Sequence, residues 1–279
     1  MKTPKMGRYA HLNVVDFHPA GALLDGGKLG NILLPGRQVP KDIEINDSIR
    51  VFIYRDSEDR VIATTQRPKV QLHQVANLKV LDVNSTGAFL DWGLSKDLFL
   101  PYSNQSNKVV AGQHILIYVY LDNEDRLTAT TLLDRHIKDF SSDYKLGEKV
   151  RLTIANRSEL GQKVIVDHQY WGLIHKDNIR QPLKIGQRVD GYIRQLRDDK
   201  RLDISLEQPG YKKVGGLSDQ ILERLQSAGG YIALADKSPA DLIEAEFGVS
   251  KRVYKMAIGK LYKNRIITIE SDGIRLIER

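Results

Sequence analysis

Val51 and Ile53, and again Ile115, Ile117 and Val119, alternate with other residues at a period of two, the pattern of strands with one buried face. The polar runs Asp56-Ser57-Glu58-Asp59 and Asp122-Asn123-Glu124-Asp125 separate stretches of β-formers and read as turns. From Leu217 the period becomes helical. Ile221, Leu222 and Leu225 share one face, with Ser218 as the expected N-cap. Ser238-Pro239 predicts the start of a second helix carrying Leu242, Ile243 and Phe247 and ending at Gly248. Ser250 then caps a third helix, with Val253, Met256, Ala257, Ile258 and Leu261 as its apolar residues. Residues 266–270 and 274–277 read as a hairpin around Ser271-Asp272-Gly273.

The strand-rich part is repetitive. At a shift of 66 residues the chain matches itself without gaps from about residue 12 to 65. Leu12, Val14 and Asp16 meet Leu78, Val80 and Asp82, and Gly21-Ala22 with Leu24-Asp25 meets Gly87-Ala88 with Leu90-Asp91. Leu34-Pro35 meets Leu100-Pro101, and Glu58-Asp59-Arg60 meets Glu124-Asp125-Arg126. A third, weaker copy follows, in which residues 164–167 are set against 88–91 and Gly172-Leu173-Ile174-His175 against 98–101. About five short strands per copy predict small closed barrels of the OB type. The expected domains are barrels at 1–68, 69–136 and 137–210 and a winged helix-turn-helix at 215–279. Pro209-Gly210 and Gly215-Gly216 mark the linker between the last two. The fold class is therefore mainly β with a small α+β domain.

Composition narrows the function. The formal charge is +7, which favours phosphate-bearing partners. It is unevenly spread: residues 1–69 hold eleven lysines and arginines against eight carboxylates, and residues 70–140 hold six against eight. Residues 141–210 hold thirteen against ten, and residues 211–279 twelve against nine. With no cysteine there is no disulfide or thiolate metal site, and a reducing compartment is natural. No run approaches the roughly 20 apolar residues of a membrane helix, so a cytoplasmic protein without a membrane partner is expected. No Walker loop, Gly-x-Ser-x-Gly turn or His-x-x-x-His pair occurs, so neither an enzyme, a metal nor a cofactor is expected.

Gly87-Ala88-Phe89-Leu90-Asp91, Leu98-Phe99-Leu100-Pro101 and Asp122 to Arg126, taken in order, resemble the RNA-binding domain of ribosomal protein S1. Gly172-Leu173-Ile174-His175 resembles the Gly-Leu-(Val/Ile)-His element of the same domain. The order of three such barrels and a winged helix resembles the bacterial conserved virulence factor B family over nearly the whole chain. That resemblance implies binding of single-stranded RNA and post-transcriptional regulation. It places stacking positions at Phe89 and Phe99, with Leu23 and Leu33 in the first copy and Ile165 and Leu173 in the third. It also implies an RNA-facing His175, beside Lys176, and contacts from Arg126 and Arg201 after the hairpin turns; the alternative for the arginines is pairing with the acidic turn. Trp171 and Tyr170 either extend the platform or cover the barrel end.

In a helix-turn-helix domain the third helix is the one that enters a groove. Lys251, Arg252, Lys255 and Lys260 on that helix are the expected nucleic-acid contacts, with no acidic residue between 250 and 265. The leading expectation is a monomeric RNA-binding regulator. The alternatives are a DNA-binding transcription factor working through the winged helix, and an adaptor for ribosomal or RNA-decay proteins.

Overall fold

A computed structural model describes residues 4–141, 143–179, 181–197, 199–207 and 211–277, with the backbone alone for 211–215. It divides into two units, residues 1–206 and 207–279. The Pro209-Gly210 part of the expected linker lies outside the described residues.

The first unit contains three closed five-stranded barrels. The first is built from β1 (Tyr9–His18), β2 (Gly21–Asp25), β3 (Asn31–Pro35), β4 (Ser48–Arg55) and β5 (Val61–Thr64). The second uses β6 (Val75–Val83), β7 (Gly87–Asp91), β8 (Leu98–Pro101), β9 (His114–Leu121) and β10 (Leu127–Thr130). The third uses β11 (Lys149–Ser158), β12 (Gly161–Val166), β13 (Tyr170–His175), β14 (Arg188–Leu196) and β15 (Leu202–Ser205). All three share one strand order, and each closes through a parallel pairing of its third and fifth strands. The first strand of each barrel bulges at the same place, at Val14/Asp16, Val80/Asp82 and Ile154/Arg157. Such a bulge bends the strand, as closing a small barrel requires. Gly21, Gly87 and Gly161 open the second strands because the third strand passes too close for a side chain. A Cβ there would lie 1.9 Å from Leu34 O, 2.4 Å from Leu100 O and 2.1 Å from Ile174 O.

The fourth strands show how the barrels pack on one another. In β4, Val51 and Ile53 point into the first barrel, while Phe52 and Tyr54 join the core of the second. Phe52 meets the Trp92 ring edge-on at 5.9 Å, and Tyr9 at 5.4 Å. In β9, Ile115, Ile117 and Val119 fill the second barrel. Tyr118 faces out against Ile165 and Trp171 of the third, with Ile137 and Ala155. Burial on both faces makes these strands continuous apolar runs. In β14 the matching outward face carries Asp190, Tyr192 and Arg194, and the alternation returns.

The acidic turns are built by their own side chains. Asp56 accepts from the amides of Glu58 and Arg60, and Asp122 from those of Glu124 and Arg126. Asp59 and Asp125 adopt the left-handed backbone that closes each turn.

The second unit holds α1 (Tyr211–Ser227), β16 (Tyr231–Ile232), α2 (Ala240–Phe247), α3 (Lys251–Lys263), β17 (Ile267–Ile269) and β18 (Ile274–Leu276). This is the winged-helix plan, with β16 as a third strand beside the expected hairpin. Several local expectations need correction. Gly215-Gly216 lies inside α1 rather than in a linker, and Ser218 is a buried helical residue rather than a cap. Ser238 closes the preceding turn by accepting from the Ala235 amide, so the α2 cap position falls to Pro239. Gly248 ends α2 in the left-handed conformation, as expected. Met256 and Leu242 are exposed. The core takes Tyr254 instead, which is fully buried and donates to Leu234 O at 2.8 Å.

Candidate nucleic-acid interface

On the second barrel, strand alternation sends Ala88, Leu90, Leu98 and Leu100 into the core and turns Phe89 and Phe99 outward. The two phenylalanines are cross-strand partners with ring centroids 5.4 Å apart and planes tilted by 42°. They form a half-buried apolar platform on β7 and β8, bordered by Asp82 and Thr128 on the neighbouring strands. Base faces stack on platforms of this kind. On the first barrel the same pair of positions carries Leu23 and Leu33, which have no aromatic face.

The third barrel departs from the expected alignment. Gly161 pairs with His175 as Gly87 pairs with Pro101, so the residues equivalent to Phe89 and Phe99 are Lys163 and Leu173. Ile165 lies two residues further along the same face and is completely buried against the second barrel. The hairpin explains the slip: β12 and β13 each have six residues around a short turn, whereas β2 and β3 have five around a longer loop.

Tyr170 belongs to the core of the third barrel and donates to Asp143 Oδ2 at 2.7 Å. Trp171 is 9% exposed within the joint between the second and third barrels. The Tyr170 phenol is no open platform, and the Trp171 indole has a ring face covered by the Lys163 ammonium, 4.0 Å from its centroid. His175 is half-buried in a small polar cluster. Arg197 donates to Asp203 Oδ1 through Nε (2.9 Å) and Nη2 (2.8 Å), and through Nη2 to His175 Nε2 (3.1 Å). The hydrogen bond to Asp203 raises the Arg197 pKa above its ordinary value. Asp203 is itself buried on β15, beside Leu173. Sequence reading missed both Asp203 and Arg197. The signal was the single carboxylate in the run Leu202-Asp203-Ile204, which apolar neighbours make conspicuous.

Lys176 is exposed in the single helical turn after His175. Arg201 is exposed too, 3.6 Å from Asp199 and with its guanidinium 6.0 Å from the Phe140 ring. Arg126 pairs with Asp122 at 2.9 Å and Glu124 at 2.7 Å. Arg60 repeats this pairing in the first barrel with Asp56 and Glu58. These arginines are charge partners of their own turns, and the hydrogen bonds hold Asp56 and Asp122 below the usual carboxylate range against the opposing effect of burial.

On the winged helix, Tyr254, Ala257, Ile258 and Leu261 face inward, which turns Arg252, Lys255, Met256, Lys260 and Lys263 outward. Lys251 is half-buried and donates to Lys237 O at 3.1 Å, and Lys255 lies 3.7 Å from Asp236. Among the described residues no cluster of His, Asp and Glu could hold a metal ion, and no helix is long and apolar enough to cross a membrane.

Comparison with known proteins agrees with this architecture. The S1 domain family matches residues 6–66 and 74–132, and the CvfB-like winged helix domain matches residues 219–276. The Bacillus subtilis (strain 168) protein YitL is 28% identical over 84% of this chain and 81% of its own. Conserved virulence factor B of Staphylococcus aureus (strain MRSA252) is 24% identical over 98% of this chain and 95% of its own. A Streptococcus pneumoniae crystal structure, described as a multidomain protein with nucleic acid binding domains, is 22% identical over 98% of both chains with a TM-score of 0.41. With S1 domains in series and the CvfB-like winged helix domain after them, the chain belongs to the conserved virulence factor B family.

Proposed function

We propose that this protein is a post-transcriptional regulator that binds single-stranded RNA. Its domains are of nucleic-acid-binding rather than catalytic families. The observation that carries the single-strand reading is the outward pair Phe89 and Phe99. Duplex recognition has no use for an aromatic platform on a sheet face, whereas unstacked bases do. The second barrel contributes the stacking face. On the third barrel, Lys176, Arg201 and the His175–Arg197–Asp203 cluster supply cations and a polar edge. Sites that are individually weak gain affinity when one strand engages several of them.

A second reading has an observation of its own. The outward face of α3 carries Arg252, Lys255 and Lys263 without a carboxylate in the helix, which suits the backbone of a duplex. Competition between an unlabelled single-stranded RNA and a matched DNA duplex for the full chain separates the two. The RNA reading expects the single strand to compete better at every salt concentration. Better competition by the duplex would move the function to α3.

A further inference from the structure

We propose that the groove between the second and third barrels is a subsite for one nucleotide of the bound RNA strand, with Trp171 as its floor. The inference rests on the RNA reading above and assigns a place that neither barrel forms alone.

The groove encloses about 530 Å³. That volume lies within the usual range of sites for small ligands. Asn107, Lys108 and Arg135 line it from the second barrel, and Asn156, Lys163 and Trp171 from the third. Three cations therefore converge from both sides. The carboxylate in the lining, Asp134, is 83% exposed and 3.9 Å from Lys163. The cationic walls complement a phosphodiester, and the two asparagine amides offer both donors and acceptors to a base edge.

Trp171 supplies an independent observation. It is 9% exposed, and its indole N–H has no acceptor among the described residues. Buried donors almost always find an acceptor, so the unpaired N–H points to a bound oxygen at the ring edge, which the ribose or phosphate of a nucleotide supplies when its base lies over the ring face. The Lys163 ammonium sits 4.0 Å from the indole centroid, covering a ring face. An incoming base takes that place, and the ammonium moves to the phosphate that arrives with it.

The groove also lies on a continuous path. Lys163 pairs with Leu173 and Ile165 with Trp171, so floor and cation stand on the same outer sheet face as Leu173. That face is the one on which the second barrel carries its phenylalanines.

The chain has two tryptophans, and Trp92 lies in the core shared by the first two barrels. Trp92→Phe leaves Trp171 as the sole indole emitter. Single-stranded oligouridylate of about twelve nucleotides, in the size range such barrels bind, is titrated into the full chain. The proposal expects Trp171 emission to change along the same isotherm as the anisotropy of labelled RNA. A Lys108→Ala/Arg135→Ala variant, made in the otherwise native chain, tests the charge without touching a tryptophan. It should bind about tenfold more weakly, and its plot of log affinity against log salt should flatten by about 0.7, the counterions of one phosphate on a single strand. RNA binding with unchanged Trp171 emission and an unchanged salt slope would overturn the subsite and leave the RNA reading intact. No anisotropy change in the native chain would overturn both.

Discussion

Val75 donates its amide hydrogen to Nδ1 of His168, 3.1 Å away, so the first strand of the second barrel begins at a hydrogen bond to a turn of the third. Arg188 completes the clasp by donating to Val75 O at 3.2 Å. The histidine can accept only while Nδ1 carries no proton. Burial, and then the Arg188 charge, lower its pKa from 6.5 to about 4. The folded pKa lies below the unfolded one, so the unfolded chain binds more protons between these values. The contribution is present above pH 6.5 and is lost as the pH falls through about 4. Burial lowers His73 and His136 in the same direction, and both adjoin Tyr118 in that joint. Thermal melts from pH 7.5 to 4 should therefore show a loss of midpoint that is smaller in His168→Gln. Equal losses in the two proteins would remove His168 as the cause.

The His175–Arg197–Asp203 cluster makes a separate prediction about stability. Replacing Asp203 by Ala leaves Arg197 without the carboxylate that orients it and, through it, His175. The cost should be on the order of 1–3 kcal/mol, the range for a hydrogen bond to a charged group or a buried group left unsatisfied. Urea denaturation of the full chain measures it. RNA affinity should fall as well at a temperature where the variant is folded, because the histidine loses its fixed place. Full affinity in a destabilised variant would confine the cluster to a structural role.

Tyr254 tests the winged-helix core. Tyr254→Phe keeps the ring in place and strands the Leu234 carbonyl. A loss of about 1–2 kcal/mol is expected, read by denaturation followed with probes in the second unit.

Much of the barrel architecture was legible because it was written twice. A shift of 66 residues carries the glycines that admit the third strand and the aspartates that build the turns. The third barrel was harder. Its shorter turn between β12 and β13 displaced the alignment by two residues, which preserves the face of a strand and hides the error. Ile165 was thus placed on the correct face but under the second barrel instead of at the open position held by Lys163. The joints were encoded in the uninterrupted apolar runs Val51-Phe52-Ile53-Tyr54 and Ile115 to Tyr120. Reading those as single amphipathic strands missed the outward half of each. In α3, hydrophobicity alone favoured Met256 over Tyr254, because burial of a tyrosine depends on a hydroxyl partner that lies 20 residues away in sequence.

In the proposed function Phe89 and Phe99 stack on bases of a single strand. Both point away from the core, so a Phe89→Ala/Phe99→Ala variant should keep the native circular dichroism spectrum and melt close to the native chain. Fluorescence anisotropy with a labelled single-stranded RNA measures the effect directly. Stacking contributes ~1–3 kcal/mol per base, so affinity should fall at least tenfold while the salt dependence stays the same. A folded double variant that binds the strand as tightly as the native protein would show that the two phenylalanines do not stack on it.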